Sequence, residues 1–142
     1  MSSSLDTILS VVATVCGSIA IFLVQDWIRN RRQRRTLIAA VKTEIEANLA
    51  VARRLNAGYE TVFELSHFEN NAYRNGLVAG AMAALSKQSF ELLSRAYDMM
   101  AMHDKQTLVI QSEWVPRDRG YRERITLIES LLTKISEDTA SW

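Results

Sequence analysis

The stretch of sequence with the most chemical potential lies near the C-terminal end, where arginines alternate with aromatic residues. Aromatic rings can stack on nucleic-acid bases, and guanidinium groups can pair with phosphates. This composition predicts a binding site for a nucleotide or an oligonucleotide, with six candidate residues: Trp114, Arg117, Arg119, Tyr121, Arg122 and Arg124. Because Asp118 and Glu123 interrupt the arginines, an ordinary solvated surface with ion pairs is the competing interpretation.

Residues that commonly perform catalysis are few and widely separated. The two histidines, His67 and His103, have no second histidine or cysteine at metal-ligand spacing, so we expect no metal site and no cofactor. The sequence also lacks the GxSxG, Walker A and glycine-rich phosphate motifs. Arg95 precedes His103 at a spacing close to, but outside, that of the HEPN ribonucleases. We therefore predict that the chain is not an enzyme.

The N-terminal part of the chain carries an apolar segment, residues 8–24, that contains no charged side chain. A helix rises about 1.5 Å per residue, so about 20 residues cross a hydrocarbon core of about 30 Å, and residues 5–24 meet this requirement. Trp27 follows at the depth of the lipid head groups. Beyond it lies the arginine cluster, which comprises Arg29, Arg31, Arg32, Arg34 and Arg35.

The position of the arginine cluster predicts the orientation of the chain. Lysine and arginine are retained on the cytoplasmic side of a membrane, and none precedes the apolar segment. We expect a single-pass protein of the inner (plasma) membrane, with its N-terminus outside and its C-terminus in the cytoplasm. A cleaved signal peptide would carry its positive charge ahead of the apolar segment instead. The arginine cluster is expected to contact membrane lipid, with nucleotide or nucleic-acid binding as an alternative.

These features divide the sequence into three parts. Residues 1–28 form the predicted transmembrane segment, with the span at about 5–24, and residues 29–35 form a basic juxtamembrane stop. Residues 36–142 form a predicted cytoplasmic all-helical domain, which holds 12 basic and 14 acidic side chains. Because the positive charge is confined to the arginine cluster, the charge of the cytoplasmic domain does not indicate a general nucleic-acid binder.

Small and hydroxyl-bearing residues recur within the predicted span at three- and four-residue spacing. Such residues let two helices approach closely, and their hydroxyls can form hydrogen bonds across the contact. The pattern predicts either the contact face of a homo-oligomer or the lining of a narrow pore built from several copies. The residues concerned are Thr7, Ser10, Ala13, Thr14 and Gly17. Small residues are also scattered through spans that only attach a protein to a membrane, so that alternative stays open.

Helical periodicity continues through the rest of the chain without a sustained alternation of period two, which predicts an all-α fold. The transmembrane helix is expected to continue to Asn56-Ala57-Gly58, with Glu44 among the charged residues outside its apolar face. That face comprises Leu37, Ile38, Val41, Ile45, Leu49, Ala52 and Leu55. Ser86 is the predicted N-cap of a helix over residues 87–114.

Further helices are predicted over 59–68 and, after a loop at 115–120, over 121–135. A turn at Arg74-Asn75-Gly76 is predicted to lead into residues 77–85, a short segment rich in alanine and glycine that can pack tightly. Together these segments predict a helical-bundle domain that continues from the transmembrane helix, in a protein that we expect to be oligomeric.

Residues 42–49, Lys-Thr-Glu-Ile-Glu-Ala-Asn-Leu, follow a Lys-x-Glu-Ile-x-x-Asn-Leu pattern directly after the basic stop. This layout resembles small single-span bacterial membrane effectors of antiphage defence systems, such as the Cas13b-associated HEPN-like pore protein and the Hailong-type membrane effector. The resemblance implies a homo-oligomeric, pore-forming or membrane-disrupting effector, gated by its cytoplasmic helical domain. The gating signal would be a nucleotide, an oligonucleotide or a cytoplasmic protein. The alternative is a membrane-anchored adaptor whose helical domain docks a soluble partner.

Overall fold

The described part of the chain is helical, as predicted, and contains no strand. The structure is a computed structural model that describes residues 2–58, 67–113, 119–139 and 142, with side chains described for 6–58, 67–107, 120–139 and 142. Its elements are α1 (Ser2–Asn56), α2 (Asn71–Val78), a short 3-10 helix (Ala81–Ala84), α3 (Lys87–Glu113) and α4 (Arg119–Asp138). The chain divides into two compact units, Met1–Thr36 and Leu37–Trp142, and the second unit is called the helical domain below.

The first unit consists of the N-terminal part of α1, which is long and apolar enough to cross a membrane. No proline interrupts residues 2–56, and Gly17 is their single glycine, so the helix continues without a break. The large apolar side chains of residues 8–24 are 51–68% exposed, and none of them is buried within the chain. An exposed apolar surface of this extent is typical of a membrane or protein-interaction site.

The core of the helical domain forms where apolar residues recur every three or four positions along its helices. In α1 the buried apolar positions are those predicted, from Val41 to Leu55, whereas Leu37 and Ile38 are half-buried. Helix α3 packs against α4. Helix α3 contributes Leu93, Ala96, Tyr97 and Met100 to the core, and α4 contributes Tyr121, Ile125, Ile128, Leu131, Leu132 and Ile135.

The predicted turn at Arg74-Asn75-Gly76 is wrong, because these residues lie inside α2. Gly76 is buried, and a β-carbon at this position would collide with the end of the Met82 side chain and lie 3.7 Å from Val41. Close packing, rather than a turn, therefore explains this glycine. The turn occurs at Gly80, whose φ of 66° lies in the left-handed region that favours glycine. Residues 77–85, predicted as a short segment that can pack tightly, accordingly comprise the end of α2, the turn and the 3-10 helix.

The predicted N-cap of α3 is confirmed, since the backbone N–H of Ser89 donates a hydrogen bond to the Ser86 hydroxyl at 3.0 Å. The helix predicted over 59–68 falls largely outside the described residues. Its last two positions, His67 and Phe68, are not helical.

The remaining helix ends agree closely with the periodicity of the sequence. Helix α1 ends at Asn56 as predicted, and Gly58 follows it with a φ of 75°. Helix α3 ends at Glu113. Helix α4 begins at Arg119, two residues before the predicted start, so it includes Gly120.

Candidate functional site

The small residues of the apolar segment share one side of α1. At 100° per residue, Thr7, Ser10, Ala13, Thr14 and Gly17 fall within an arc of about 120°. The Thr14 hydroxyl donates to the Ser10 carbonyl at 2.8 Å, and the Ser18 hydroxyl donates to the Thr14 carbonyl at 2.9 Å. A β-carbon at Gly17 would meet no atom within 4 Å. This side of the helix is therefore open to close approach by a neighbouring helix.

The start of the arginine cluster carries two contacts within the helix. The Arg31 guanidinium carbon lies 5.3 Å from the centroid of the Trp27 ring, which is a cation–π geometry. The Asn30 side-chain amide donates to Asp26 Oδ2 at 3.1 Å. All five arginines of the cluster are exposed. This part of α1 therefore presents fixed positive charge, an aromatic ring and one carboxylate together.

Among the residues that the structure describes, the predicted arginine–aromatic site does not form one surface. Trp114 and Arg117 lie outside the described residues, and so does the side chain of Arg119. Tyr121 is buried, whereas the neighbouring Arg122 is exposed. The prediction that Tyr121 can stack an external base is therefore wrong, because its ring lies within the core of the helical domain.

His103 is the centre of a buried cluster to which Tyr121 and Arg124 belong. The imidazole is 2% exposed, with ring centroids 5.7 Å from Phe68 and 5.1 Å from Tyr121. Its Nδ1 and the Nε of Arg124 are buried and have no hydrogen-bond partner among the described residues. Burial, followed by the positive charge of Arg124, lowers the pKa of His103 to about 4. The imidazole is therefore neutral near pH 7.

The other histidine lies at the edge of this cluster. His67 Nδ1 is 3.9 Å from Asp104 Oδ1, and burial raises the pKa of Asp104 despite the opposing effect of His67. Arg95 is exposed and lies eight residues, about 12 Å, from His103 along α3, so these two residues form no common site. Within the ranges that the structure describes, no three His, Cys, Asp or Glu side chains converge to hold a metal ion.

The sequence interpretation missed a buried polar network around Glu44, which was expected outside the apolar face but is only 5% exposed. Glu44 Oε2 accepts the Ala72 N–H at 2.7 Å, while Oε1 accepts the Tyr73 N–H at 3.1 Å and the Tyr97 hydroxyl at 2.6 Å. The two N–H groups belong to the first turn of α2, where backbone donors have no partner within the helix. Glu44 therefore caps α2 and connects α1 to both α2 and α3.

Asn48 and Tyr97 complete this network, which is called the Glu44 network below. The fully buried Asn48 amide donates to the Glu69 carbonyl and accepts the Glu69 N–H, both at 2.8 Å. The Tyr97 and Tyr73 rings stack with centroids 4.1 Å apart. Burial and the hydrogen bond to Glu44 raise the pKa of Tyr97 far above its ordinary value. These polar groups hold the chain before and within the first turn of α2 against α1.

The Lys-x-Glu-Ile-x-x-Asn-Leu pattern thus has a structural explanation. Ile45 and Leu49 are buried in the core, Glu44 and Asn48 belong to the network, and Lys42 Nζ donates to the Thr139 carbonyl at 2.7 Å. The signal was present in the sequence, because Asn48 lies within the apolar stripe of α1 and Glu44 lies at its edge rather than opposite it.

No protein-family model, curated protein or solved structure matches this chain. The class of the protein is therefore defined by its own fold. It is an all-helical protein with one N-terminal helix long and apolar enough to span a membrane, followed by a helical domain with a buried polar network.

Proposed function

We propose that the chain is an oligomeric single-span protein of the inner membrane that acts as a pore-forming or membrane-disrupting effector, as in antiphage defence. Its N-terminus lies outside, and the cytoplasmic helical domain gates the span. The observation that carries this proposal is the exposed apolar part of α1, whose large side chains are 51–68% exposed. Hydrocarbon and neighbouring copies of the same helix can cover such a surface, and a helix satisfies its backbone hydrogen bonds within itself.

The side of α1 that carries the small residues supports assembly of several copies. One helix cannot enclose a channel, so a pore requires a ring of spans. The absence of any atom within 4 Å of a β-carbon at Gly17 leaves room for a neighbouring backbone. The Thr14 and Ser18 hydroxyls already donate to their own helix, which makes their polarity tolerable in hydrocarbon and leaves their oxygens facing the contact.

The Glu44 network supports gating through α1. Helix α1 extends without a break from the apolar segment to Asn56, and Glu44 and Asn48 fix its later part to α2 and α3. A signal molecule that binds one arrangement of the helical domain more tightly than another would shift the population of α1 states. A cytoplasmic protein or a nucleotide signal would act in this way.

A membrane-anchored adaptor is the second candidate function, and one surface feature favours it. Val78 at the end of α2 is 92% exposed, and its neighbour Leu77 is also exposed. Two adjacent apolar side chains at a helix end can insert into a soluble partner. In that case α1 would only attach the domain to the membrane, and the span would tolerate substitution.

The substitution Gly17→Leu in the full chain separates these functions. A β-carbon at this position meets no atom within 4 Å, so a larger side chain here is expected to disturb a contact with another helix rather than the fold of its own chain. Cys16→Leu is the matched control, because Cys16 is also exposed and lies outside the arc of small residues. Particle mass after detergent extraction and potassium release from loaded vesicles are measured for each variant.

The proposal expects a ring of several copies and ion release from the unmodified chain and from Cys16→Leu, and a loss of both in Gly17→Leu. A monomer that releases no ions would contradict the pore and favour the adaptor. A full-length product that stays soluble and monodisperse without detergent would contradict both functions.

A further inference from the structure

One face of α1 directly after the apolar segment combines a charge pattern with a surface groove. At 100° per residue, six residues fall within about 140° of helix surface and line a groove of about 380 Å³: Leu23, Asp26, Trp27, Asn30, Arg31 and Arg34. This surface is called the Trp27 face. The other three arginines of the cluster, Arg29, Arg32 and Arg35, lie outside this arc. The arginine cluster is therefore divided, and its two parts differ in their surroundings.

On the Trp27 face, the positive charge of Arg31 lies at the same level along the helix axis as the Trp27 ring. Side chains of a helix tilt towards its N-terminus, and the Arg31 guanidinium accordingly lies over the Trp27 ring, 5.3 Å from its centroid. Tryptophan is enriched at the level of the lipid head groups. In a chain inserted through residues 5–24, Arg31 would therefore lie at the boundary between hydrocarbon and water, where a planar guanidinium can bind a lipid phosphate through two parallel hydrogen bonds.

Asp26 distinguishes this face from a simple basic patch. Its Oδ2 accepts the Asn30 amide at 3.1 Å, and no basic side chain in the described residues lies within ion-pair distance of it. A ligand that was only an anion would satisfy the arginines but would bring no hydrogen-bond donor for this carboxylate. A ligand that carries a hydrogen-bond donor beside its phosphate would satisfy Asp26 and the arginines together.

We propose that the Trp27 face binds a phospholipid whose headgroup carries both a phosphodiester and a hydrogen-bond donor. Arg31 and Arg34 bind the phosphate, Asp26 accepts the donor, and Leu23 contacts the start of an acyl chain. Ethanolamine and glycerol headgroups carry such donors. A choline headgroup has no N–H to donate, and Arg31 already covers the Trp27 ring that would otherwise attract it. This inference rests on the membrane insertion proposed above, but not on pore formation.

The test measures which lipids stay bound to the full chain. The protein is inserted into vesicles of equal phosphatidylethanolamine, phosphatidylglycerol and phosphatidylcholine, extracted in mild detergent, and analysed by native mass spectrometry. The double variant Arg31→Gln/Arg34→Gln is compared with Arg29→Gln/Arg32→Gln, which removes the same charge from the other faces. Both variants lose the same bulk attraction to anionic lipid. The first variant also loses the direct phosphate contacts, at about tenfold per arginine, so we expect its lipid retention to fall about 100-fold below that of the second.

Asp26→Leu tests the donor separately, because leucine has no atom that can accept the headgroup's hydrogen bond. This variant keeps both arginines and should still retain phospholipid, but it should lose the preference for ethanolamine and glycerol headgroups over choline. If the two double variants lost lipid retention equally, bulk positive charge alone would explain the binding, and the proposal would be overturned. An unchanged headgroup preference in Asp26→Leu would overturn the assignment of Asp26.

Membrane insertion is checked in the same samples by alkaline extraction. A chain that inserts without headgroup preference contradicts this inference alone. A chain that is monomeric but keeps the preference contradicts the pore and supports the headgroup site. A chain that is released by alkali contradicts the proposed function together with this inference.

Discussion

Replacing Glu44 by glutamine tests whether the carboxylate caps α2, because it removes a buried charge without changing the size of the side chain. Glu44 Oε1 accepts two donors, and Oε2 accepts the Ala72 N–H. A glutamine can keep its carbonyl oxygen at the first position, but its NH₂ group then faces the Ala72 N–H, and two donors oppose each other.

The expected cost follows from these contacts. A hydrogen bond to a charged group contributes about 1.5–3 kcal/mol, and a buried donor without an acceptor costs about 1–3 kcal/mol. Because the two terms overlap, we expect Glu44→Gln to lower the free energy of unfolding by about 3 kcal/mol. In a domain of this size, that corresponds to a fall in Tm of roughly 10–20 °C. The assay is thermal unfolding of the full chain in detergent, followed by circular dichroism.

Two controls make the result interpretable. Glu46→Gln changes the same side chain at an exposed position of α1 and should alter stability by less than about 0.5 kcal/mol. Tyr97→Phe removes one donor to Glu44 but leaves both α2 N–H groups with an acceptor, so it should cost about 1 kcal/mol. If Glu44→Gln melted at the same temperature as Glu46→Gln, the capping role of the carboxylate would be refuted.

Three further predictions concern buried positions of the helical domain, each measured by unfolding of the full chain. Because the pKa of His103 falls from its usual 6.5 to about 4 on folding, the unfolded state binds an extra proton between these values. The free energy of unfolding should therefore drop by up to about 3 kcal/mol as the pH falls from 6.5 to 4, with Asp104 opposing part of the loss through its raised pKa. His103→Leu should remove most of this pH dependence, and an unchanged slope would assign it to other groups. Asn48→Asp replaces the donor to the Glu69 carbonyl with a carboxylate oxygen and should cost about 2–4 kcal/mol, whereas a neutral result would show that Asn48 does not fix this chain segment. Gly76→Ala should change stability by less than about 1 kcal/mol, since the end of the Met82 side chain can move aside and alanine favours the helix. A larger loss would show that Met82 is fixed in place.

The core was predictable because apolar periodicity is a local property of the chain. Val41, Ile45 and Leu49 on α1, and Ile125 and Ile128 on α4, are buried where their spacing predicted. The same spacing also indicated that Tyr121 is buried, although its residue type and neighbours suggested otherwise. Tyr121 precedes Ile125 by one helical turn and shares its apolar face, yet its place among arginines suggested a surface role.

The errors occurred where a residue's environment is determined by a distant part of the chain. Glu44 was expected to be exposed because it is charged, but its acceptor atoms serve N–H groups 28 and 29 residues away. Gly76 resembled a turn residue, but its role depends on the Met82 side chain beyond the next turn. The sequence around Glu44 or Gly76 does not identify these partners.

The composition of the Glu44 network bears on the choice between a gated effector and an adaptor. Burying a carboxylate is costly, and apolar residues of similar volume commonly give equal or greater stability. Hydrogen bonds, unlike apolar contacts, depend on orientation. The bonds of Glu44 and Asn48 therefore favour one rotational position of this part of α1 against α2 and α3. A helix that served only as an attachment would need no such setting. A helix through which a domain controls a pore would need it, so the network agrees with the gated effector proposed above.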